Sequence, residues 1–137
     1  MSKTVFALKD DASGAAVEKR KHILCADHHE DTRAMLSYWL DLCGYNVTAA
    51  GSLAETLLLT ERGGFDLFIL GGWYPDGLGT NLCKRIRGFD PQTPIVFLSA
   101  YAFTTDIKEG LESGAQAYIA KPVDLHVLDQ TIQKFIL

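Results

Sequence analysis

The sequence has no excess of positive charge, and this absence excludes one broad class of function. Lys and Arg total 13 against 17 Asp and Glu in 137 residues, which gives a formal net charge of -4. Nucleic-acid binding needs a basic surface that neutralises phosphates, and the Lys and Arg residues here are interspersed with acids. We therefore expect no nucleic-acid binding by this segment.

Long apolar runs are also absent. The longest early run, Val5 to Leu8, is followed at once by Lys9 and Asp10. Such a run is too short for the core of a signal peptide or for a membrane span. We therefore expect a cytoplasmic protein that makes no contact with a membrane.

Paired cysteines are the third absence. Cys25, Cys43 and Cys83 are odd in number, lie far apart and form no CxxC motif. This pattern indicates neither a disulfide framework nor a zinc site. We predict that all three are small buried hydrophobic residues.

The length and the 47% hydrophobic content favour one globular domain with one substantial core. Residues 9–20 show no apolar period, so we expect residues 1–20 to form a mobile leader and residues 21–137 to form the domain. Five short apolar runs without polar alternation follow, which is typical of parallel strands covered on both faces. These runs are His22–Ala26, Tyr45–Ala49, Asp66–Leu70, Pro94–Leu98 and Ala117–Ala120.

Helical periods fill the gaps between these runs. The first predicted helix places Met35, Leu36, Trp39, Leu40 and Cys43 on one inner face, and Gly44 offers a left-handed stop.

Capping signals mark the other helices. Ser52 and Glu55 form a capping box for the second helix, Asp106 can cap the fourth, and Asp124 can cap the fifth. The remaining helix signals are Gly63–Gly64 after the second helix, Leu82, Ile86 and Gly88 for the third, and Leu128, Ile132, Phe135 and Ile136 inside the fifth.

Five strands alternating with five helices predict an α/β fold with a doubly wound (βα)5 parallel sheet. In such sheets ligands bind at the carboxyl ends of the strands, where residues distant in sequence converge. Asp27 and His28 follow the first strand, Gly71 follows the third, Ser99 follows the fourth and Lys121 follows the fifth. We expect these side chains to share one rim.

This order resembles the receiver domain of two-component response regulators, over roughly residues 21–137. Ser99-Ala100 and Lys121-Pro122 match the family pattern, Asp27 matches one acid of its metal-binding pair, and Tyr118 matches its switch aromatic. The resemblance implies the flavodoxin-like fold, a role in phosphorelay signalling, and a protein partner. That partner would be a histidine kinase, an effector domain or a second copy of the chain.

Two positions depart from the family pattern. Gly71 stands where the resemblance places the phosphate-accepting aspartate, and His28 replaces the second acid. Phosphoryl transfer to a receiver needs a carboxylate nucleophile and a divalent cation, and only Asp27 is left to hold that cation. We expect Mg²⁺ binding to be weak or absent, with no cofactor in its place. The imidazole of His28 suits Zn²⁺ or Cu²⁺ better, so a change of metal stays open.

Lys121 would normally face the acceptor carboxylate. Without that group the nearest acid is Asp27, and we predict a direct ion pair between Lys121 and Asp27. The alternative for Asp27 is an ordinary cap on the first helix.

Exposed aromatic residues are candidates for partner contacts. The resemblance implies that Tyr101, Phe103 and Tyr118 form an interaction face, while the alternative is that they pack their own loop. Trp73 and Tyr74 are either recognition residues or a cover over the gap at Gly71.

The favoured hypothesis is a degenerate receiver, not an enzyme, that acts through protein–protein interaction without phosphorylation. The first alternative is an active receiver that is phosphorylated at Asp27 or Asp76. The second is a flavodoxin-like cofactor binder, but its first loop should be rich in neutral donors, and residues 27–31 read Asp-His-His-Glu-Asp.

Overall fold

The computed structural model describes residues 20–136, so nearly all of the predicted leader lies outside the described residues. The chain alternates strands and helices as predicted. The strands are β1 (His22–Ala26), β2 (Asn46–Ala50), β3 (Leu67–Leu70), β4 (Trp73–Tyr74), β5 (Gly77–Leu78), β6 (Ile95–Ser99) and β7 (Ala117–Ala120). The helices are α1 (Glu30–Leu42), α2 (Leu53–Arg62), α3 (Gly79–Arg87), α4 (Thr104–Glu112) and α5 (Leu125–Ile136).

Five of the strands form one parallel sheet in the order β2-β1-β3-β6-β7. This order confirms the predicted α/β fold. β1, β3 and β6 are buried along most of their length because helices cover both faces of the sheet. The predicted strand boundaries agree with the observed ones to within one residue.

Two apolar clusters hold the helices on the sheet, one on each face. One cluster includes Leu57 of α2 and Leu82 of α3, packed near Phe68 and Phe97 of the sheet. The other includes Leu36 of α1 and Leu128 of α5. This arrangement leaves the carboxyl ends of the strands as the exposed rim.

Several predicted helix ends are confirmed. Gly44 and Gly63 adopt positive φ angles of 98° and 77° just after α1 and α2, where side chains would strain the backbone. The Ser52 hydroxyl accepts from the Glu55 N–H, and the Asp124 carboxylate accepts from the His126 N–H. The box at α2 differs in one respect, because the Glu55 carboxylate accepts from Gly51 N–H instead of Ser52 N–H.

Other predictions were wrong. Asp106 does not precede α4; the helix begins at Thr104, and Asp106 lies in its first turn, where it accepts from the Phe103 N–H. Met35 on α1 and Cys43, the residue after that helix, are exposed, and only Leu36 and Leu40 of the helix are buried. Arg20, assigned to the leader, donates to the carbonyls of Gly44 and Tyr45 and so belongs to the domain.

A short antiparallel hairpin, β4–β5, follows β3 and was not predicted.

Within residues 20–136 no helix is both long enough and apolar enough to span a membrane.

Candidate functional site

The carboxyl ends of β1, β3, β6 and β7 surround a cleft of about 340 Å³. Asp27, His28, Gly71, Ser99 and Lys121 all line it. The structure therefore brings together all five residues that the sequence placed on one rim.

Asp27 and Lys121 form an ion pair across this cleft. The Lys121 Nζ atom lies 2.8 Å from Asp27 Oδ2, and the two side chains are 20% and 4% exposed. The other carboxylate oxygen, Oδ1, accepts from the His29 N–H at 2.9 Å, just before α1. The predicted ion pair is confirmed, and Asp27 also accepts a hydrogen bond from the backbone of the residue before α1.

Arg33 fixes the backbone of the same residue. Its Nη1 atom donates to the Asp27 carbonyl at 2.8 Å, while the Asp27 N–H donates to the Ala50 carbonyl of β2 at 3.0 Å. Asp27 is therefore held by α1, β2 and Lys121 together. The contact made by Arg33 was not predicted, because no local sequence pattern indicates it.

Gly71 has room for a Cβ atom. A Cβ atom there would lie 3.4 Å from both the Ala26 carbonyl oxygen and Asp27 Oδ2, which are ordinary contacts. The Tyr74 hydroxyl lies beside this residue, accepting from the Gly71 N–H at 2.8 Å and donating to the Ala26 carbonyl at 3.2 Å. Tyr74 is 1% exposed, and burial raises the pKa of its hydroxyl.

Tyr74 thus packs against the end of β3, whereas its neighbour Trp73 is partly exposed and lines the cleft. Of the two alternatives drawn from the sequence, Tyr74 therefore fits the cover over the gap at Gly71, and Trp73 fits the exposed recognition residue.

Ser99 packs directly against Gly72. A Cβ atom at Gly72 would overlap the Ser99 hydroxyl, so this approach requires glycine. The Ser99 oxygen accepts from the Tyr101 N–H at 3.0 Å, and its side chain is buried. Ser99 therefore fixes the start of the loop between β6 and α4.

Two histidines and Trp73 form one wall of the cleft. The His28 ring lies 3.8 Å from the His29 ring and 4.9 Å, edge-on, from the Trp73 ring. Burial, followed by the nearby His29 charge, lowers the pKa of His28. Across residues 20–136 no three His, Cys, Asp or Glu side chains are arranged to hold a metal ion, so the hypothesis of a transition metal at His28 gains no support.

The same donor set fits Mg²⁺ poorly. Mg²⁺ prefers an octahedral shell of oxygen atoms and usually enters through one or two carboxylates. Both oxygens of Asp27 already accept hydrogen bonds, one from Lys121 and one from His29. Gly71 offers no side-chain oxygen.

Asp76 lies outside the cleft. Its two carboxylate oxygens accept from the backbone N–H groups of Leu53 and Ala54, at 2.9 and 3.0 Å. These two bonds hold the pKa of Asp76 below its usual range. The acid therefore clamps the β4–β5 hairpin onto the first turn of α2.

The sequence matches one family model along most of its length. The model of the response regulator receiver domain matches residues 23–133. This chain belongs to the response regulator receiver family.

Relatives of this receiver domain include transcriptional regulators. It is 36% identical over 111 residues to the transcriptional regulatory protein AfsQ1 of Streptomyces coelicolor, covering 81% of this chain and 49% of that protein. It is 35% identical over 106 residues to the nisin biosynthesis regulatory protein NisR of Lactococcus lactis, covering 77% and 46%. The chain thus spans about half the length of these curated relatives.

Solved structures agree with this assignment. A two-component response regulator from Clostridium difficile superposes with a TM-score of 0.81 at 28% identity, covering 85% of this chain and 95% of that one. The fold predicted from the sequence, a flavodoxin-like receiver domain, is confirmed.

Aromatic residues of this receiver domain lie beside the cleft. Tyr101 and Phe103 are 56% and 78% exposed, as an interaction face would require. Tyr118 is only partly exposed; its ring lies 5.4 Å from the Phe97 ring and against Gly110, and its hydroxyl donates to the Tyr101 carbonyl. Tyr118 therefore packs the loop, while Tyr101 and Phe103 extend from it.

Proposed function

We propose that this receiver domain is a regulatory protein–protein interaction module that works without phosphorylation of its own chain, and not an enzyme. The observation that carries the proposal is the absence of an acceptor side chain in the cleft, together with the pairing of its lysine. Gly71 follows β3, at the position where the family resemblance places the acceptor, and Lys121 is paired with Asp27 instead.

The first supporting argument concerns the nucleophile. Transfer of a phosphoryl group to a protein side chain needs an oxygen, nitrogen or sulfur atom aligned with the phosphorus. Gly71 supplies none. Ser99 is buried against Gly72, and its oxygen already accepts from the Tyr101 N–H.

The second argument concerns charge. An incoming phosphodonor brings negative charge that a metal ion must neutralise. Asp27 is the one carboxylate among the residues that line the cleft, and Lys121 already neutralises it. The cleft therefore offers little attraction for a divalent cation.

The alternative acceptors are both engaged elsewhere. Asp27 is buried and accepts from Lys121 and His29, so its attack on phosphorus would break a buried ion pair. Asp76 accepts from two N–H groups of α2 and does not line the cleft. Neither arrangement favours a working acceptor.

The proposal predicts that the protein forms no aspartyl phosphate. The protein is incubated with acetyl phosphate and Mg²⁺, and its intact mass is then measured. We expect no mass increase of one phosphoryl group. A stable adduct on the unmodified chain would overturn the proposal.

A matched variant makes the negative result informative. The double substitution Gly71→Asp with His28→Asp supplies both carboxylates, and the Cβ atom of the first would meet only ordinary contacts. We expect this variant to gain the phosphoryl mass under the same conditions, with Mg²⁺ raising its melting temperature but not that of the unmodified protein.

A further inference from the structure

A second cavity, of about 310 Å³, opens between the β4–β5 hairpin and helix α4. Its walls include Trp73 and Leu78 on the hairpin side and Asp106 and Glu109 on the helix side. It adjoins the Asp27 cleft but does not include Asp27 or Lys121. The ion pair therefore takes no part in this second site.

Aromatic rings make up much of the wall. Trp73, Phe97, Tyr101 and Tyr118 all line the cavity. Aromatic rings carry negative charge on their faces and attract cations, most strongly for Trp and when the cation is partly removed from water. Four such side chains around one space favour a positively charged or an apolar occupant.

The two carboxylates decide between these occupants. Asp106 and Glu109 lie one turn apart on α4, and neither forms an ion pair with any residue of the described range 20–136. One oxygen of Asp106 accepts from the Phe103 N–H, whereas Glu109 takes part in none of the side-chain hydrogen bonds found there. Lys84 lines a neighbouring cavity with Glu109 but lies beyond ion-pair distance. The negative charge of this wall is therefore available to an external cation.

The exposed apolar residues of this cavity indicate that the cation belongs to a protein partner. Leu78 and Tyr101 line this cavity and are each at least half exposed. Interfaces between proteins are enriched in such aromatic residues, and an exposed apolar rim would be covered by the body of a partner. A free ammonium ion would leave this rim uncovered.

We propose that this cavity receives a lysine or arginine side chain from a partner protein, with apolar neighbours of that side chain resting on Leu78 and Tyr101. The aromatic rings and the carboxylates of Asp106 and Glu109 recognise the positive head group. This inference deepens the proposed function, because it names the chemistry of the partner segment that the interaction module binds.

Two peptides that differ only in charge test it. Acetyl-Leu-Arg-Leu-amide is compared with the same peptide carrying neutral citrulline in place of arginine, by titration into the full chain followed by NMR. We expect the arginine peptide to bind about tenfold more tightly and to shift the Trp73 indole signal. Equal affinities, or shifts confined to residues around Asp27 and Lys121, would overturn the proposal.

Variants on α4 and on the hairpin sharpen the test. Glu109→Gln should reduce the preference for the arginine peptide severalfold, and Trp73→Leu should weaken the binding of that peptide. Glu112→Gln is the matched control, because Glu112 lies on the same helix but lines only the neighbouring cavity. All three positions lie at the surface, and thermal melting checks that each variant folds. A loss of preference in Glu112→Gln equal to that in Glu109→Gln would show general charge attraction and would reject the site.

The outcome is separable from that of the phosphorylation test. A phosphoryl adduct with preserved arginine binding would reject only the phosphorylation-independent function. The absence of both the adduct and the arginine preference would reject only the inference about the cavity.

Discussion

Lys121 Nζ lies 2.8 Å from Asp27 Oδ2, although 94 residues separate the two along the chain. The strands that precede them, β7 and β1, are not neighbours, because β3 and β6 lie between them in the sheet. The Lys121 side chain therefore reaches across the carboxyl ends of β3 and β6. The pair spans the cleft and does not join adjacent strands.

Removing one member of this pair should destabilise the fold. We expect Asp27→Ala to lower the free energy of unfolding by about 3 kcal/mol, because it strands the Lys121 ammonium and frees the His29 N–H. Urea denaturation at neutral pH measures this loss. An unchanged midpoint would show that the pair contributes nothing.

Two controls separate burial from charge pairing. Arg20 and Asp41 form the other ion pair within residues 20–136, at 3.2 Å, and the Asp41 side chain is exposed. We expect Asp41→Asn to cost about 1 kcal/mol or less, because solvent screens such pairs. The double substitution Asp27→Leu with Lys121→Met removes both charges and should recover part of the loss.

Gly71 and Gly79 should respond in opposite ways to alanine. The Cβ atom of Gly71→Ala meets only ordinary contacts, so we expect a stability from unchanged to about 1 kcal/mol higher. A Cβ atom at Gly79 would overlap the Gly71 carbonyl oxygen and crowd the Phe97 ring, and we expect a loss of about 1–3 kcal/mol. Thermal unfolding compares the two variants, and equal losses would contradict the contacts described at Gly71.

The sequence was sufficient to predict the sheet and the cleft, because both depend on patterns that are local in the chain. Apolar runs such as Pro94–Leu98 identify strands, and the convergence of strand ends follows from the parallel topology. Even the ion pair followed, because Lys121 had only one acid near it on the predicted rim.

Other features depend on distances that no local pattern encodes. Asp76 follows a proline and precedes a glycine, which indicates a turn, but its bonds to Leu53 and Ala54 join segments more than twenty residues apart. The second cavity likewise depends on how closely the hairpin approaches α4. Met35 has the spacing of a buried residue, yet it lies at the edge of the inner face of α1 and is exposed.

The Asp76 clamp predicts a stability difference that depends on pH. Its pKa is lowered by the N–H groups of Leu53 and Ala54, so its contribution is present above the ordinary aspartate pKa and is lost as pH falls through the lowered value. We expect Asp76→Asn to unfold at lower urea concentration at neutral pH, and the difference from the unmodified protein to shrink below about pH 4.

Ser52→Ala is the control for this effect, because Ser52 caps the same helix without titrating. We expect it to cost about 1 kcal/mol at both pH values. A difference for Asp76→Asn that stayed constant between neutral and acid pH would show that the carboxylate charge has no part in the clamp.

His28 should make the domain less stable in mild acid. Its pKa is lowered by burial and by the neighbouring His29, so the folded state favours the neutral ring. Because the unfolded chain binds this proton first, stability is complete above the unfolded pKa of about 6.5 and falls as pH drops below it. We expect His28→Gln to reduce the loss of melting temperature between about pH 7.5 and about pH 5.5, since glutamine takes up no proton. His126→Gln, on the exposed face of α5, is the matched control and should leave that loss unchanged. If the melting temperature of His28→Gln fell as much as that of the unmodified protein, His28 would play no part in the loss of stability in acid.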